Sequence, residues 1–133
     1  MRTDFLQALL ALAGRWLLAV PFLVEGIDKL RAYVPATRYM ERFGVPGSLL
    51  PLVIAAEIGG GLMLVLGWGT RLAASGLALF CIATAVLFHT NLAARGDVLH
   101  LEKDLAIAGG MIVLALCGPG RLAIRPGNTS AAR

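Results

Sequence analysis

Residues 49–68 read LLPLVIAAEIGGGLMLVLGW, an apolar run interrupted by one charge, Glu57. At the centre of a bilayer a carboxylate costs about 3 kcal/mol on insertion scales unless protein or water compensates it. A group held at that cost can pair with a cation, pass a proton or accept a hydrogen bond from a ligand. Other polar residues share this setting. Glu25 and Lys29 stand four apart in the order that favours an ion pair along a helix. His89 lies near the end of the run 72–92, Lys103 and Asp104 near the start of the run 101–118, and Arg15 and Arg71 near the starts of theirs.

Helical spacing, about 100° per residue, sorts these residues onto faces. Glu57 falls with Gly60, Gly61 and Leu64; Arg71, Ser75, Ala78, Ile82, Ala85 and His89 form a second stripe; Lys103, Ala106, Ile107, Gly110 and Leu114 form a third. The spacing predicts that Glu25, Lys29, Glu57, His89 and Lys103 turn inward. Lys103, a cation that opposes the dipole at a helix start, is then an apt partner for Glu57. Each residue also has a plain structural reading: Glu57 as a paired carboxylate fixing the bundle, Glu25–Lys29 as a buried pair, His89 as a head-group residue, and Lys103 and Asp104 as helix-starting residues.

No familiar catalytic signature appears. His89 and His100 are too far apart for HExxH, no third ligand supports a metal site, and there is no GxGxxG or Walker loop. Gly59-Gly60-Gly61 lies within an apolar run and reads as helix packing. Cys81 and Cys117 form no CxxC pair and read as small buried hydrophobes at different depths.

The elements that must position these groups follow from composition. The 133 residues are 58% hydrophobic and 15% charged, with mean hydropathy +0.78. Soluble domains are about half apolar and a quarter charged, so this is an integral membrane protein in a lipid bilayer. The net charge of +4 comes from basic residues at the ends of apolar runs, where they anchor spans, and no aromatic-interleaved basic stripe points to nucleic acid.

Four spans are expected, at about 6–34, 49–68, 72–92 and 101–118; against the roughly 20 residues a crossing needs, the second and third qualify on length alone and the fourth is marginal, its charge-free core beginning at Leu105. Together they make an all-α four-transmembrane-helix bundle in a single domain, 1–133. Threading the first span from Trp16 puts Trp16 and Trp68 at one interface, with Glu25 and Glu57 at a common depth. Threading it from Phe5 instead puts Arg15 near the bilayer centre without an obvious partner. In the preferred threading the helix extends back toward Phe5 along the surface or at a tilt, and Pro21 permits a bend. Asp4 and the apolar sequence past Arg15 argue against a cleaved signal peptide.

A short interfacial helix, ATRYMERF at 36–43, is expected between spans one and two, with Tyr33, Tyr39 and Phe43 at the head groups. Residues 67–70 read as a tight turn and 128–133 as a frayed tail. Ala55–Gly59, Ala56–Gly60 and Ala106–Gly110 have the small-xxx-small spacing that lets helices approach in lipid. Basic residues tie between the two sides: Arg2, Arg15, Arg71, Arg121, Arg125 and Arg133 against Lys29, Arg31, Arg38, Arg42, Arg95 and Lys103. Because Lys29 and Lys103 fall within helices, cytoplasmic termini are favoured.

The order GRWLLAVPFLVEGIDKL, YMERFGVP, PLVIAAEIGGGLMLVLGWGTRLAA, FH and KDLAIAGG, from about Arg15 to Leu116, resembles the DoxX family. The resemblance implies a bacterial inner-membrane protein of four transmembrane helices. It carries over Arg15, Lys29, Glu57, Arg71, His89 and Lys103 as the recurring polar residues, with Asp104 where the family usually has Asn. The family name derives from a subunit of a thiosulfate:quinone oxidoreductase, and other members are linked to thiol redox defence and quinone stress.

Three functions compete on this reading. The first is a redox-associated subunit that works with a partner protein and binds a quinone, Glu57 handling a proton and His89 or Lys103 binding the quinone oxygen. The second is a structural or assembly subunit whose polar cluster fixes the bundle. The third is a small-molecule or ion transporter, for which four spans would call for a homodimer.

Overall fold

A computed structural model describes residues 1–124, and the described residues that form secondary structure are all helical. Arg125, Arg133 and the tail expected at 128–133 lie outside the described residues. The helices are α1 (Arg2–Arg31), α2 (Tyr33–Arg42), α3 (Leu50–Leu66), α4 (Thr70–Phe88) and α5 (Arg95–Cys117), with one 3-10 turn, Gly47–Leu49, before α3.

Among the described residues, three helical segments are long and apolar enough to cross a membrane: Arg2–Arg31, Gly47–Leu66 and Thr70–Phe88. Helix α5 has 23 residues but is not among them. Its first turns carry Arg95, Asp97, Glu102, Lys103 and Asp104, which dilute the apolar stretch expected at 101–118.

Helix α1 runs unbroken through Pro21 for 30 residues, about 45 Å at 1.5 Å per residue, well beyond a hydrocarbon core of about 30 Å. No separate surface segment precedes Trp16. Its inner face repeats in heptads: Ala8, Arg15, Ala19, Phe22 and Gly26 are buried, and Leu12 and Lys29 are half-buried. Most of the buried positions are small, so α1 lies close along α3.

Gly67, with φ 75°, ends α3. The amide of Gly67 donates to the Leu64 carbonyl and that of Trp68 to the Met63 carbonyl, the paired bonds of a left-handed glycine cap. Gly69, also left-handed with φ 57°, starts α4 two residues later. The chain therefore reverses in three residues, and α3 and α4 form an antiparallel hairpin.

Two helix pairs dominate the packing, α1 with α3 and α4 with α5, with α3 and α4 joining them. The core comprises Ala19, Phe22, Leu64, Leu77, Ala78, Cys81, Ala108 and Met111 with their buried neighbours. Many large apolar side chains face outward, among them Leu17, Leu52, Leu72, Leu79, Val86 and Leu116, as lipid-facing helices require.

Tyr39 and Phe43, beside α3 and α4, close a ring cluster on Phe88, with centroids 5.1–5.5 Å apart. The short helix starts at Tyr33, earlier than the expected 36, because Pro35 falls in the first turn, where no amide is required.

The close approaches differ from the expected small-residue pairs. Ala55, Ala56 and Ala106 face outward, and a Cβ on Gly59 would meet nothing within contact range. Within the long helices, glycines that admit a neighbour are Gly26 against Ile58, Gly61 against Leu23, Gly60 against Leu77 and Gly110 against Leu18.

Candidate functional site

Glu57 sits on the inner face of α3 with 3% of its surface exposed. One helical turn beyond Phe22 on α1, Gly26 faces Ile58 and the Glu57 Cβ, where a side chain would hold the helices apart. This approach brings Lys29 into reach. Its Nζ donates to Glu57 Oε1 at 3.0 Å and to Glu25 Oε2 at 3.3 Å. The two carboxylates are unequal: the Glu57 side chain is 4% exposed and that of Glu25 is 55% exposed. Glu25 therefore does not turn inward as expected, and Glu25–Lys29 is not a buried pair. Glu57 Oε2 is buried with no hydrogen-bond partner among the described residues.

The partner expected for Glu57, Lys103, is exposed, while Asp104 is half-buried. The inner stripe of α5 is Asp104, Ile107, Ala108, Met111, Leu114 and Ala115, rotated by about one residue from the expected stripe. Helix α4 is rotated likewise. Arg71, Ser75 and Ile82 face outward, and the buried positions are Thr70, Ala73, Ala74, Leu77, Ala78, Cys81 and Ala85.

Asp104 belongs to a second polar cluster, between the C-terminal end of α4 and the start of α5. The Thr84 hydroxyl lies 3.3 Å from Asp104 Oδ2 and 3.0 Å from the Cys81 carbonyl oxygen. His89 Nε2 stands 3.7 Å from the same Asp104 oxygen. The rings of His89 and His100 stack with centroids 5.0 Å apart, and His89 Nδ1 is buried without a partner among the described residues. His89 and His100, far apart in sequence, thus meet in space. His100 and Asp104 are one helical turn apart on α5, a spacing that signals a shared face. Cys81, whose carbonyl accepts from the Thr84 hydroxyl, borders this cluster. It is buried as expected, whereas Cys117 is exposed; both are free thiols.

Arg15 finds partners that no pairing of charges in the sequence suggests. It is 2% exposed, and its guanidinium donates to the carbonyls of Pro119, Leu122 and Val65. Val65 belongs to the last turn of α3 and Pro119 follows the end of α5, so the cation sits at the negative ends of two helices. The Trp16 indole N–H donates to the same Val65 carbonyl at 3.1 Å, close to Trp68 along the chain. Arg15 is therefore level with the α3–α4 turn.

The arrangement offers unequal chemistry at its two clusters. At Glu57, Lys29 uses two of its three N–H donors and one carboxylate oxygen is free. One donor of Lys29 and one buried acceptor of Glu57 thus remain at this pair. At Asp104, a carboxylate, a hydroxyl and two imidazoles line up along the α4–α5 seam.

No solved structure matches the chain. Two curated relatives from Escherichia coli strain K12 do. Inner membrane protein YqjF is 43% identical over 85% of this chain and 87% of its own length. Inner membrane protein YphA is 28% identical over 89% of each. With these relatives and its apolar helices, the chain is a multi-pass inner-membrane protein. The family model for DoxX matches residues 10–90, which hold Arg15, Lys29, Glu57, Arg71 and His89, and the chain belongs to the DoxX family.

Proposed function

We propose that the chain is a four-span, redox-associated subunit that binds a quinone head group beside Glu57. The carrying observation is the free, buried Oε2 of Glu57 next to a lysine with one donor to spare. A quinone offers the complement, a carbonyl that accepts from Lys29 and, when reduced, a hydroxyl that donates to Glu57. In this reading Glu57 accepts or donates the proton, and a redox partner protein exchanges the electrons. Lys29 takes the oxygen-binding role, since Lys103 points away.

Two observations support α5 as the fourth span. It runs beside α4 from the Thr84–Asp104 contact to the approach of Gly118 to Arg71, so it covers the depth that α4 covers. The first turns of α1 and the segment after α5 also meet at one end, around Arg121 and Leu122, which needs an even number of crossings. With Lys29 and Lys103 set aside as helix residues, the otherwise tied charge count favours that end in the cytoplasm.

The test is to purify the protein in mild detergent, extract it and measure bound quinone by absorbance and mass spectrometry. Wild type should carry quinone, and both Glu57→Gln and Lys29→Met should lose most of it. Absence of quinone, or its full retention in both variants, refutes the reading.

A structural or assembly role is the second reading, favoured by Arg15, whose three bonds all go to backbone carbonyls that tie the chain ends together. It requires that Glu57→Gln lower thermal stability while every bound molecule stays in place.

A further inference from the structure

An open groove of about 370 Å³ lies at the start of α4, lined by Thr70, Arg71, Leu72, Pro119 and Ile124 with the two turn glycines. We propose that it holds the phosphate of an anionic phospholipid head group.

Four observations converge on it. First, α4 is a helix of 19 residues whose N-terminal Gly69 supplies no side-chain cap. The Ala73 amide bonds back to the Gly69 carbonyl. The amides of Thr70, Arg71 and Leu72 precede the first intrahelical acceptor and present the positive end of the dipole. Second, Thr70 is 2% exposed, and its hydroxyl oxygen is buried with no partner among the described residues. A donor left unsatisfied at that burial is costly, and a phosphate oxygen in the groove is the acceptor it lacks.

Third, Arg71 stands in the first turn of α4, where a cation opposes the dipole, and among the described residues no carboxylate pairs with it. An anion between the helix end and the guanidinium turns that conflict into attraction on both sides. No acidic residue lines the groove. Fourth, the depth is right for a lipid. Trp68 is half-exposed two residues before Thr70, and Trp16 is tied to the same end, which puts the groove at head-group level. Leu72 and Ile124, both exposed, give the acyl chains an apolar flank.

The test uses the full chain in nanodiscs and in lipid-exchanged detergent. Lipid retained by the protein is counted by native mass spectrometry, with phosphatidylglycerol offered against phosphatidylcholine. Wild type should prefer phosphatidylglycerol. Arg71→Gln should cut that preference about fivefold, as expected for one interfacial cation. Arg71→Lys should restore part of it, and Thr70→Val should reduce it while the protein stays folded by circular dichroism. Arg31→Gln, at the opposite end of α1, should leave it unchanged. An equal preference in wild type and Arg71→Gln overturns the proposal. A separate arm adds inorganic phosphate to lipid-depleted protein: stabilisation by phosphate that depends on Arg71, without any preference between the lipids, overturns the assignment to a phospholipid.

Discussion

Replacing Lys29 by Met isolates what the intramembrane pair contributes. Lys29 Nζ is 3.0 Å from Glu57 Oε1, and the Glu57 side chain is 4% exposed. Met keeps most of the aliphatic volume but leaves a buried carboxylate with neither cation nor donor. Breaking a buried pair in this way costs about 3–5 kcal/mol. Glu57→Gln is milder. The amide oxygen still accepts from Lys29, and Lys29 keeps Glu25 as a partner, so the loss should be about 1 kcal/mol. In the double variant the stranded charge disappears together with the pair. Its cost should fall to about 1–2 kcal/mol, below that of Lys29→Met alone, a coupling of about 2–5 kcal/mol. Unfolding in mixed dodecylsulfate micelles, followed by the fluorescence of Trp16 and Trp68, measures all four corners of the cycle. Glu25→Gln is the control: its carboxylate is 55% exposed, and a change of under about 0.5 kcal/mol is expected. If the Lys29→Met and Glu57→Gln costs simply add to within about 0.5 kcal/mol, the pair is not what buries Glu57, and the reasoning fails.

Other predictions follow from the same packing. Arg15→Leu removes three carbonyl contacts and should cost about 3 kcal/mol or more; hydrogen exchange should rise across 118–124 while α3 remains protected. Gly59→Ala should stabilise by up to about 1 kcal/mol through helix propensity, since its Cβ enters open space, whereas Gly26→Ala should destabilise because its Cβ meets Ile58; thermal melts of the two variants should move in opposite directions. Burial, and then the nearby Asp97 carboxylate, hold the Tyr39 hydroxyl above its ordinary value of 10.0. The folded form therefore keeps a proton that the unfolded chain gives up first. This contribution to stability is full below about pH 10 and is lost as pH rises through the higher folded value. Ultraviolet titration should show Asp97→Asn lowering the Tyr39 midpoint only part of the way, because burial is the larger cause.

The polar constellation is partly legible in the chain itself. Lys29 and Glu57 stand out because a charge in an apolar run is conspicuous, and the Trp16 threading puts Glu25 and Glu57 at one depth. The rotations of α4 and α5 are not legible. In a soluble helix the wet face declares itself by polarity. Here the outer surface meets lipid and is as apolar as the interior, so hydropathy carries little phase information. One residue is about 100° of rotation, enough to exchange Lys103 for Asp104 and Arg71 for Thr70 on the inner face. The outward turn of Glu25 follows from the same geometry, since it precedes Gly26 on the α1 heptad.

Sequence by itself determined the membrane setting, the helices, their order and the residues too polar for their surroundings. Those properties depend on local composition and on the hydrogen-bond needs of a backbone in lipid. Tertiary structure alone decided the partners: Lys29 for Glu57, backbone carbonyls for Arg15, and the stacking of His89 on His100. Partner choice depends on which helix faces meet, and in lipid that is set by where small residues permit contact, Gly26 on Ile58 above all.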